Sequence, residues 1–342
     1  MNVWKVINGD CRSVLATMEA NSVQCCVTSP PYYGLRDYGT ATWEGGDAAC
    51  NHLQAESGST QNLSSNGGVG HAYKDTCRKC GAVRVDAQLG LEKTHAEYVA
   101  KMVEVFAAVR RVLRDDGTLW LNLGDSYAWH SQGTYPAETI SGGVGGQSVN
   151  RQEGHRGRAG LARQRNASAI EFRSKELMGI PWRVAFALQA DGWYLRQDII
   201  WHKTNPMPES VKDRCTKAHE YLFLLAKSER YHFDADAMKE KAPRGDNGTR
   251  NRRSVWSISP ESYACAHFAV MPTELVRPCV LAGCPVGELV LDPFSGSGTT
   301  GEVAVRHGRR YVGIELNPEY VALAEKRIGQ ANDHLFAKKE TK

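Results

Sequence analysis

The stretch 289–305, LVLDPFSGSGTTGEVAV, decides the fold. Leu289–Leu291 is an apolar strand with Asp292 at its carboxyl end, and Gly296, Gly298 and Gly301 follow directly. A helix then leads to a second apolar strand, RRYVGIEL (309–316), which ends on the acidic Glu315. Strand, glycines, helix, strand and carboxylate in this register form the cradle of a nucleoside-type cofactor. The glycines let the backbone approach the ligand, and the second carboxylate holds ribose hydroxyls. GSGTTG also satisfies the dinucleotide pattern G-x-G-x-x-G, whereas no lysine follows the second glycine as a phosphate-binding Walker loop requires. Asp292 beside the glycines would repel a pyrophosphate and suits a cationic ligand.

Outward from this stretch, helices and strands alternate. The N-terminus predicts strand Trp4–Asn8, helix Arg12–Glu19 and strand Val23–Thr28. A long amphipathic helix, Ala96–Leu113, carries Val99, Met102, Val103, Phe106, Val109 and Leu113 at helical spacing, and a buried strand Leu119–Leu123 follows. Further strands are expected in WYLRQDIIWHK and HEYLFLLAKS, and further helices at Pro272–Ala282 and Pro318–Ile328. This alternation predicts an α/β protein with a mostly parallel sheet covered on both faces. The chain of 342 residues is only mildly basic, with 42 Lys and Arg against 38 Asp and Glu, so a nucleic-acid surface needs local clustering of charge. No apolar run approaches the ~18 residues of a membrane span. The N-terminus lacks the pattern of a secretory signal, so the ten cysteines are expected to be reduced, in a cytoplasm.

The second informative stretch is CVTSPPYYGLRDYG, Cys26–Gly39, which puts Thr28, Ser29, Pro30, Pro31 and Tyr32 straight after a buried strand. Carboxyl ends of strands are where α/β proteins bind ligands. The prolines stiffen the turn and force Ser29 and Pro30 into extended geometry. The Ser29 hydroxyl and the Pro30 carbonyl then face one pocket as acceptors beside an aromatic ring. That set suits a planar group bearing an amino function.

TSPPY followed far downstream by DPFSGSGTT resembles the β class of DNA amino-methyltransferases, in which the catalytic tetrapeptide precedes the cofactor loop. GTLWLNLGDSY, GIPWRVAFALQADGWYLRQDIIWHKTNPMPESVKDR, HEYLFLLAKSERYHFD and HFAVMPTELV fit the same family order, which covers most of the chain outside about 44–90 and 130–170. The resemblance implies a Rossmann-like S-adenosylmethionine-dependent fold with a seven-stranded type of sheet. In it, Ser29 and Pro30 accept hydrogen bonds from the target amino group, with Pro31 stiffening the turn, and Tyr32 stacks on a flipped-out base. Thr28, Asp292, Phe294, Gly296, Gly298, Thr299 and Thr300 would cradle S-adenosylmethionine, with Glu315 on its ribose. Asp10 and Cys11 would meet its adenine end, and His267, Phe268 and the residues to Glu274 would close over its methionine part. Double-stranded DNA is the implied partner, with a homodimer, no membrane and no obligatory nuclease subunit. The insertion-bearing form looks like solitary phage or prophage enzymes. The serine leans towards cytosine N4 and that phage likeness towards adenine N6, which is placed narrowly ahead.

The segments outside the family blocks carry their own signals. In the insertion 44–90, Cys50-x-His52 and Cys77-x-x-Cys80 supply the four ligands of a closed structural zinc site. Arg151, Arg156, Arg158, Arg163 and Arg165 lie in an irregular segment at 130–175. Arg244, Arg250, Arg252 and Arg253 lie in another at 237–262. Both segments are expected to contact DNA and read its sequence, while His202 and Lys203 are candidates near the flipped base. The remainder is read as one methyltransferase domain spanning 1–342, its cofactor-binding βαβ at 285–330. Three other readings stay open to test: a nicotinamide-dependent oxidoreductase, a methyltransferase acting on RNA or a glutamine amide, and a non-catalytic DNA-binding zinc module.

Overall fold

The computed structural model describes residues 3–34, 40–53, 76–128, 172–242, 248–261 and 270–340. In chain order the elements are β1 (Trp4–Asn8), α1 (Cys11–Thr17), β2 (Val23–Thr28), β3 (Thr42–Glu44), β4 (Val83–Val85), α2 (His95–Val112) and β5 (Leu113–Leu123). There follow α3 (Ile180–Ala190), β6 (Tyr194–Lys203), β7 (His219–Ala226), β8 (Lys239–Lys241), β9 (Thr249–Asn251) and β10 (Val255–Ile258). The chain ends on α4 (Thr273–Gly283), β11 (Leu289–Asp292), α5 (Thr299–Arg306), β12 (Arg310–Glu315) and α6 (Pro318–Glu340).

Two compact units result, residues 1–36 with 89–342, and residues 37–88. The smaller unit corresponds to the insertion expected at 44–90 within one domain. The larger unit holds an eight-stranded sheet in the order β1-β12-β11-β2-β5-β7-β6-β10. Its first five strands are parallel, β7 runs antiparallel to both of its neighbours, and β10 is parallel to β6. The sheet is thus one strand wider than the seven-stranded type. The extra strand, β10, and the short β8–β9 hairpin lie where the sequence suggested irregular chain. Trp256 explains the addition: it is buried on β10, pairs in register with Trp201, and drives a short segment onto the sheet edge.

Alternation along the central strands fills both faces. Leu119, Leu121 and Leu123 of β5 join Tyr98, Met102, Phe106 and Val109 of α2 and Val184 and Leu188 of α3. Trp120, from the same strand, joins Val27, Val276, Val280, Val303 and Ile328 on the other face, under α4, α5 and α6. Each such side chain contributes about 1.5–3 kcal/mol by leaving water. β2 leads through α2 to β5 on one side, whereas β11 leads through α5 to β12 on the other. The chain therefore diverges between the neighbours β2 and β11, and the crevice at their carboxyl ends is a topological switch point, where open α/β sheets bind ligands. Among the described residues no helix is long and apolar enough to cross a membrane.

Candidate active site

One wall of the crevice is the glycine loop. Gly296 (φ +51°) and Gly298 (φ +82°) turn the chain from β11 into α5. A Cβ on Gly298 would lie 2.9 Å from Ala324, so both conformation and space demand glycine there. Thr300 reaches across to the Val27 carbonyl at 3.3 Å, and Thr299 accepts from Arg327 at 2.7 Å. Asp292 is buried, its Oδ1 accepting from Thr28 Oγ1 at 2.6 Å and from the Phe294 N–H at 3.0 Å. Burial pushes its carboxyl up to about 6, and the Thr28 hydrogen bond opposes that rise. Glu315 accepts from the Gly296 N–H at 2.8 Å and from the Asn317 N–H at 2.9 Å, and burial raises it too. Among the described residues no basic side chain bonds either carboxylate. Two desolvated acids flanking a glycine turn suit a cationic ligand and disfavour a pyrophosphate.

Asp10 sits at the head of α1, accepting from the N–H groups of Arg12 and Ser13 and pairing with the Arg12 guanidinium at 2.9 Å. Its carboxylate is thus committed to capping, and an approach to the adenine end of a cofactor would share those oxygens. Cys11 is buried, which pushes its thiol up to about 12 and leaves it an inert packing group.

The second wall is the Ser-Pro-Pro-Tyr turn. Pro30 is buried, and Ser29 and Tyr32 are half-buried. The Pro31 carbonyl is held by Tyr98 Oη at 2.9 Å, which fixes the turn to α2. Ser29 Oγ donates to Tyr32 Oη at 3.3 Å, and Tyr32 Oη donates to Glu220 Oε2 at 2.7 Å, with Asn122 Oδ1 at 3.2 Å. The other oxygen of Glu220 is paired with the Lys203 ammonium, which also lies 4.7 Å from the Trp201 ring centroid. Burial and then the Glu220 charge hold the Tyr32 phenol well above its ordinary range, so it stays protonated. Gly124 makes room for the ring, because a Cβ there would come within 2.6 Å of Tyr32 Cε2.

A family of DNA methylases that act on adenine N6 or cytosine N4 matches residues 23–326. The chain is also 42% identical over 328 residues to the Type II methyltransferase M.Cfr9I of Citrobacter freundii, covering 96% of this chain and 88% of that protein. The chain belongs to the N6/N4 DNA methylases. The Type II methyltransferase M.SmaI of Serratia marcescens is likewise 42% identical, over 95% of this chain and 90% of its own. Among solved structures, the cytosine-N4-specific PvuII DNA methyltransferase has a similar fold at 17% identity. Its TM-score is 0.56, over 97% of this chain and 94% of that one. TTHA0409 of Thermus thermophilus, complexed with S-adenosyl-L-methionine, has a TM-score of 0.54 at 21% identity, over 96% and 93%. The α/β architecture with its mostly parallel sheet is that of this methylase fold.

The remaining candidates fall in several places. Lys203 is buried in its ion pair with Glu220, so its ammonium is not offered to phosphates as a surface cation. His202 is exposed and 3.1 Å from Ser257 Oγ. Arg250 and Arg253 share Glu240 Oε1, at 2.8 and 3.1 Å, while Arg252 stacks 4.2 Å over the Trp256 ring. These three arginines are therefore tied to the β8–β9 hairpin and to β10, in place of an irregular basic segment. Arg151, Arg156, Arg158, Arg163, Arg165, Arg244, His267 and Phe268 lie outside the described residues. In the smaller unit, Cys50, His52, Cys77 and Cys80 come together with one ligand atom each, all within 4.8 Å of one another. Sequence reasoning missed Glu220, Asn122, Gly124 and Tyr98, all of which hold Tyr32 or its loop. The signal for Glu220 was a charged residue opening an otherwise apolar strand, HEYLFLL.

Proposed function

We propose that this N6/N4 methylase transfers a methyl group from S-adenosylmethionine to the N4 amino group of a cytosine flipped out of double-stranded DNA. The observation that carries the reading is contiguity. Thr28, the residue before Ser29, is hydrogen-bonded to Asp292 of the glycine loop at 2.6 Å, so the amino-accepting turn and the cofactor crevice share a wall. The cofactor supplies the methyl group on a sulfonium and departs as S-adenosylhomocysteine. Asp292, Phe294, Gly296, Gly298, Thr299, Thr300 and Glu315 are the residues placed to hold it, the two carboxylates facing its cationic and ribose parts. Ser29 Oγ and the Pro30 carbonyl accept the amino protons and free the nitrogen lone pair from ring conjugation, while Tyr32 stacks on the base. Flipping costs a few kcal/mol, and placement supplies most of the acceleration.

Cytosine is taken over adenine, the narrow favourite of sequence alone, because Ser29 heads the tetrapeptide variant associated with cytosine N4. Purified protein incubated with methyl-tritiated S-adenosylmethionine and duplex DNA is expected to place label in the DNA. Label that stays in solution, or tight binding of a nicotinamide dinucleotide instead, contradicts the reading.

The smaller unit supports a second assignment, a structural zinc ion. Tetrahedral zinc with Zn–S near 2.3 Å and Zn–N near 2.0–2.1 Å sets ligand edges of about 3.8 Å between sulfurs and about 3.6 Å from sulfur to nitrogen. Cys50 Sγ and Cys77 Sγ lie 3.8 Å apart, and Cys80 Sγ and His52 Nδ1 lie 3.5 Å apart. A disulfide needs about 2.0 Å. His52 takes φ +52° and stacks on Trp43, with centroids 4.5 Å apart, which aims its ring at the sulfurs. The only sheet among the described residues of this unit is the β3–β4 pair, and a two-stranded sheet is marginal without such a staple. Elemental mass spectrometry of the purified protein is expected to find about one zinc per chain, and none after joint Cys77→Ser and Cys80→Ser replacement. Metal-free protein from zinc-replete medium contradicts it.

A further inference from the structure

We infer that Glu220 sets the polarity of the catalytic serine and is the terminal acceptor of the proton that methylation releases. The inference rests on the reading of Ser29 as the amino acceptor and deepens it. An ionised carboxylate only accepts hydrogen bonds, so the single phenolic proton of Tyr32 points at Glu220 Oε2, 2.7 Å away. The Tyr32 oxygen is then left with its lone pairs, and the Ser29 hydroxyl proton points at it, 3.3 Å away. Ser29 in turn presents lone pairs to the pocket, and those are what the target amino group requires. With a neutral group at position 220 the phenol loses its charged acceptor and keeps the longer one, Asn122 Oδ1 at 3.2 Å, so the direction of the chain weakens and Ser29 more readily aims its proton at the substrate.

The surroundings fix Glu220 in this role. Lys203 pairs with its second oxygen, and both side chains are nearly buried, at 10% and 12% exposure. That holds one carboxylate oxygen in place and leaves the other for Tyr32. Trp201 and Glu220 face each other in the β6–β7 register, and the Trp201 ring lies under the Lys203 ammonium. Asn122 donates its amide to the Tyr221 carbonyl at 3.0 Å, which turns its Oδ1 to the phenol. Gly124 leaves the ring its place. Ser29, Asn122 of β5 and Glu220 of β7 thus meet at one tyrosine hydroxyl, while Lys203 and Trp201 of β6 back the carboxylate and Gly124 makes room for the ring, more than a stacking platform needs.

The same chain carries the proton. Once methylated, the amino nitrogen holds one proton too many. Its N–H bond breaks as Ser29 Oγ takes that proton and passes its own to Tyr32 Oη, which passes its own to Glu220 Oε2. Each oxygen gives one proton and gains one, no electrons change owner, and Glu220 ends as the neutral acid. It reionises against the Lys203 ammonium by releasing one proton to water. Glu220 does not touch the substrate and acts as a positioning residue through Tyr32.

The test compares Glu220→Gln, Tyr32→Phe and the double variant in single-turnover methylation of duplex DNA. Tyr32→Phe keeps the stacking ring and leaves the Lys203–Glu220 pair untouched, so it stays informative even if Glu220→Gln folds poorly. Each single variant is expected to lower the methylation rate by about 10-fold, with DNA and S-adenosylmethionine affinities within about threefold of wild type. The double variant is expected to be no slower than the worse single one, because both break one chain. A Tyr32→Phe enzyme at wild-type rate, or rate losses that multiply in the double variant, overturns the inference. Failure of wild-type protein to methylate DNA would instead remove the underlying reading.

Discussion

Replacing Tyr32 by alanine is expected to lower methyl transfer by about 10²–10³-fold, while the affinity for S-adenosylmethionine changes by less than about threefold. The size follows from two losses. Stacking of a nucleic-acid base on an aromatic side chain is worth about 1–3 kcal/mol. Loss of the hydrogen bond to the charged Glu220, at 2.7 Å, removes about 1.5 kcal/mol more, expressed through the orientation of Ser29. Each 1.36 kcal/mol is a factor of ten in rate. The cofactor is spared because Tyr32 bonds Ser29, Asn122 and Glu220 and none of the glycine-loop residues. Isothermal titration with the cofactor and single-turnover kinetics separate the two effects. Equal losses in both would show that Tyr32 supports the fold of the crevice and not the base.

Asp292→Asn is expected to act with opposite signs on cofactor binding and on the stability of the cofactor-free protein. The buried carboxyl is raised from 3.8 to about 6, chiefly by desolvation. Its folded form therefore binds a proton more tightly than the unfolded chain does. Below about pH 4 both states are protonated and no penalty arises; as pH rises from about 4 to about 6 the folded state loses stability relative to the unfolded, on the order of 1–3 kcal/mol in all. Asparagine cannot ionise, and its Oδ1 still accepts from Thr28 and Phe294, both of which bond the Oδ1 of Asp292. The variant should thus melt higher than wild type at pH 8 and at the same temperature near pH 4. It also loses a charge facing a cationic ligand, worth about 1.5–3 kcal/mol, or an affinity loss of about 10–150-fold. In wild type the same ionisation makes cofactor affinity fall as pH drops through about 6. Thermal melts across pH with and without cofactor check both signs. A variant less stable at pH 8, or one that binds the cofactor as wild type does, contradicts this role for Asp292.

The cofactor half of the site was legible because its information is local. Strand, aspartate, glycines and helix lie within 289–305, and the positive φ of Gly296 and Gly298 is what only glycine tolerates cheaply. The same holds for the cysteine and histidine cluster, whose C-x-H and C-x-x-C spacings each supply two of the four ligand atoms that come together. Strand direction was not legible. HEYLFLLA is an apolar run that fits a buried strand of either sense, and only its pairing with β5 and β6 makes β7 antiparallel. β10 was hidden because a four-residue strand among arginines carries one strong apolar anchor, Trp256. Glu220 was out of reach for a different reason: its partner Tyr32 stands 188 residues away, and no periodicity links positions brought together by a sheet edge. Lys203 reads from sequence as a cation near the base; that its ammonium is buried against Glu220 is visible only in the fold.

The most direct test of the central claim is nucleoside mass spectrometry of duplex DNA methylated by the purified protein and digested to completion. N4-methylcytosine is the expected product, formed by wild type and lost with Ser29→Ala. N6-methyladenine in its place would contradict the choice of base. A methyl group on a ring carbon, or undiminished product from Ser29→Ala, would contradict the assignment of the Ser29–Tyr32 turn as the site where the amino group reacts.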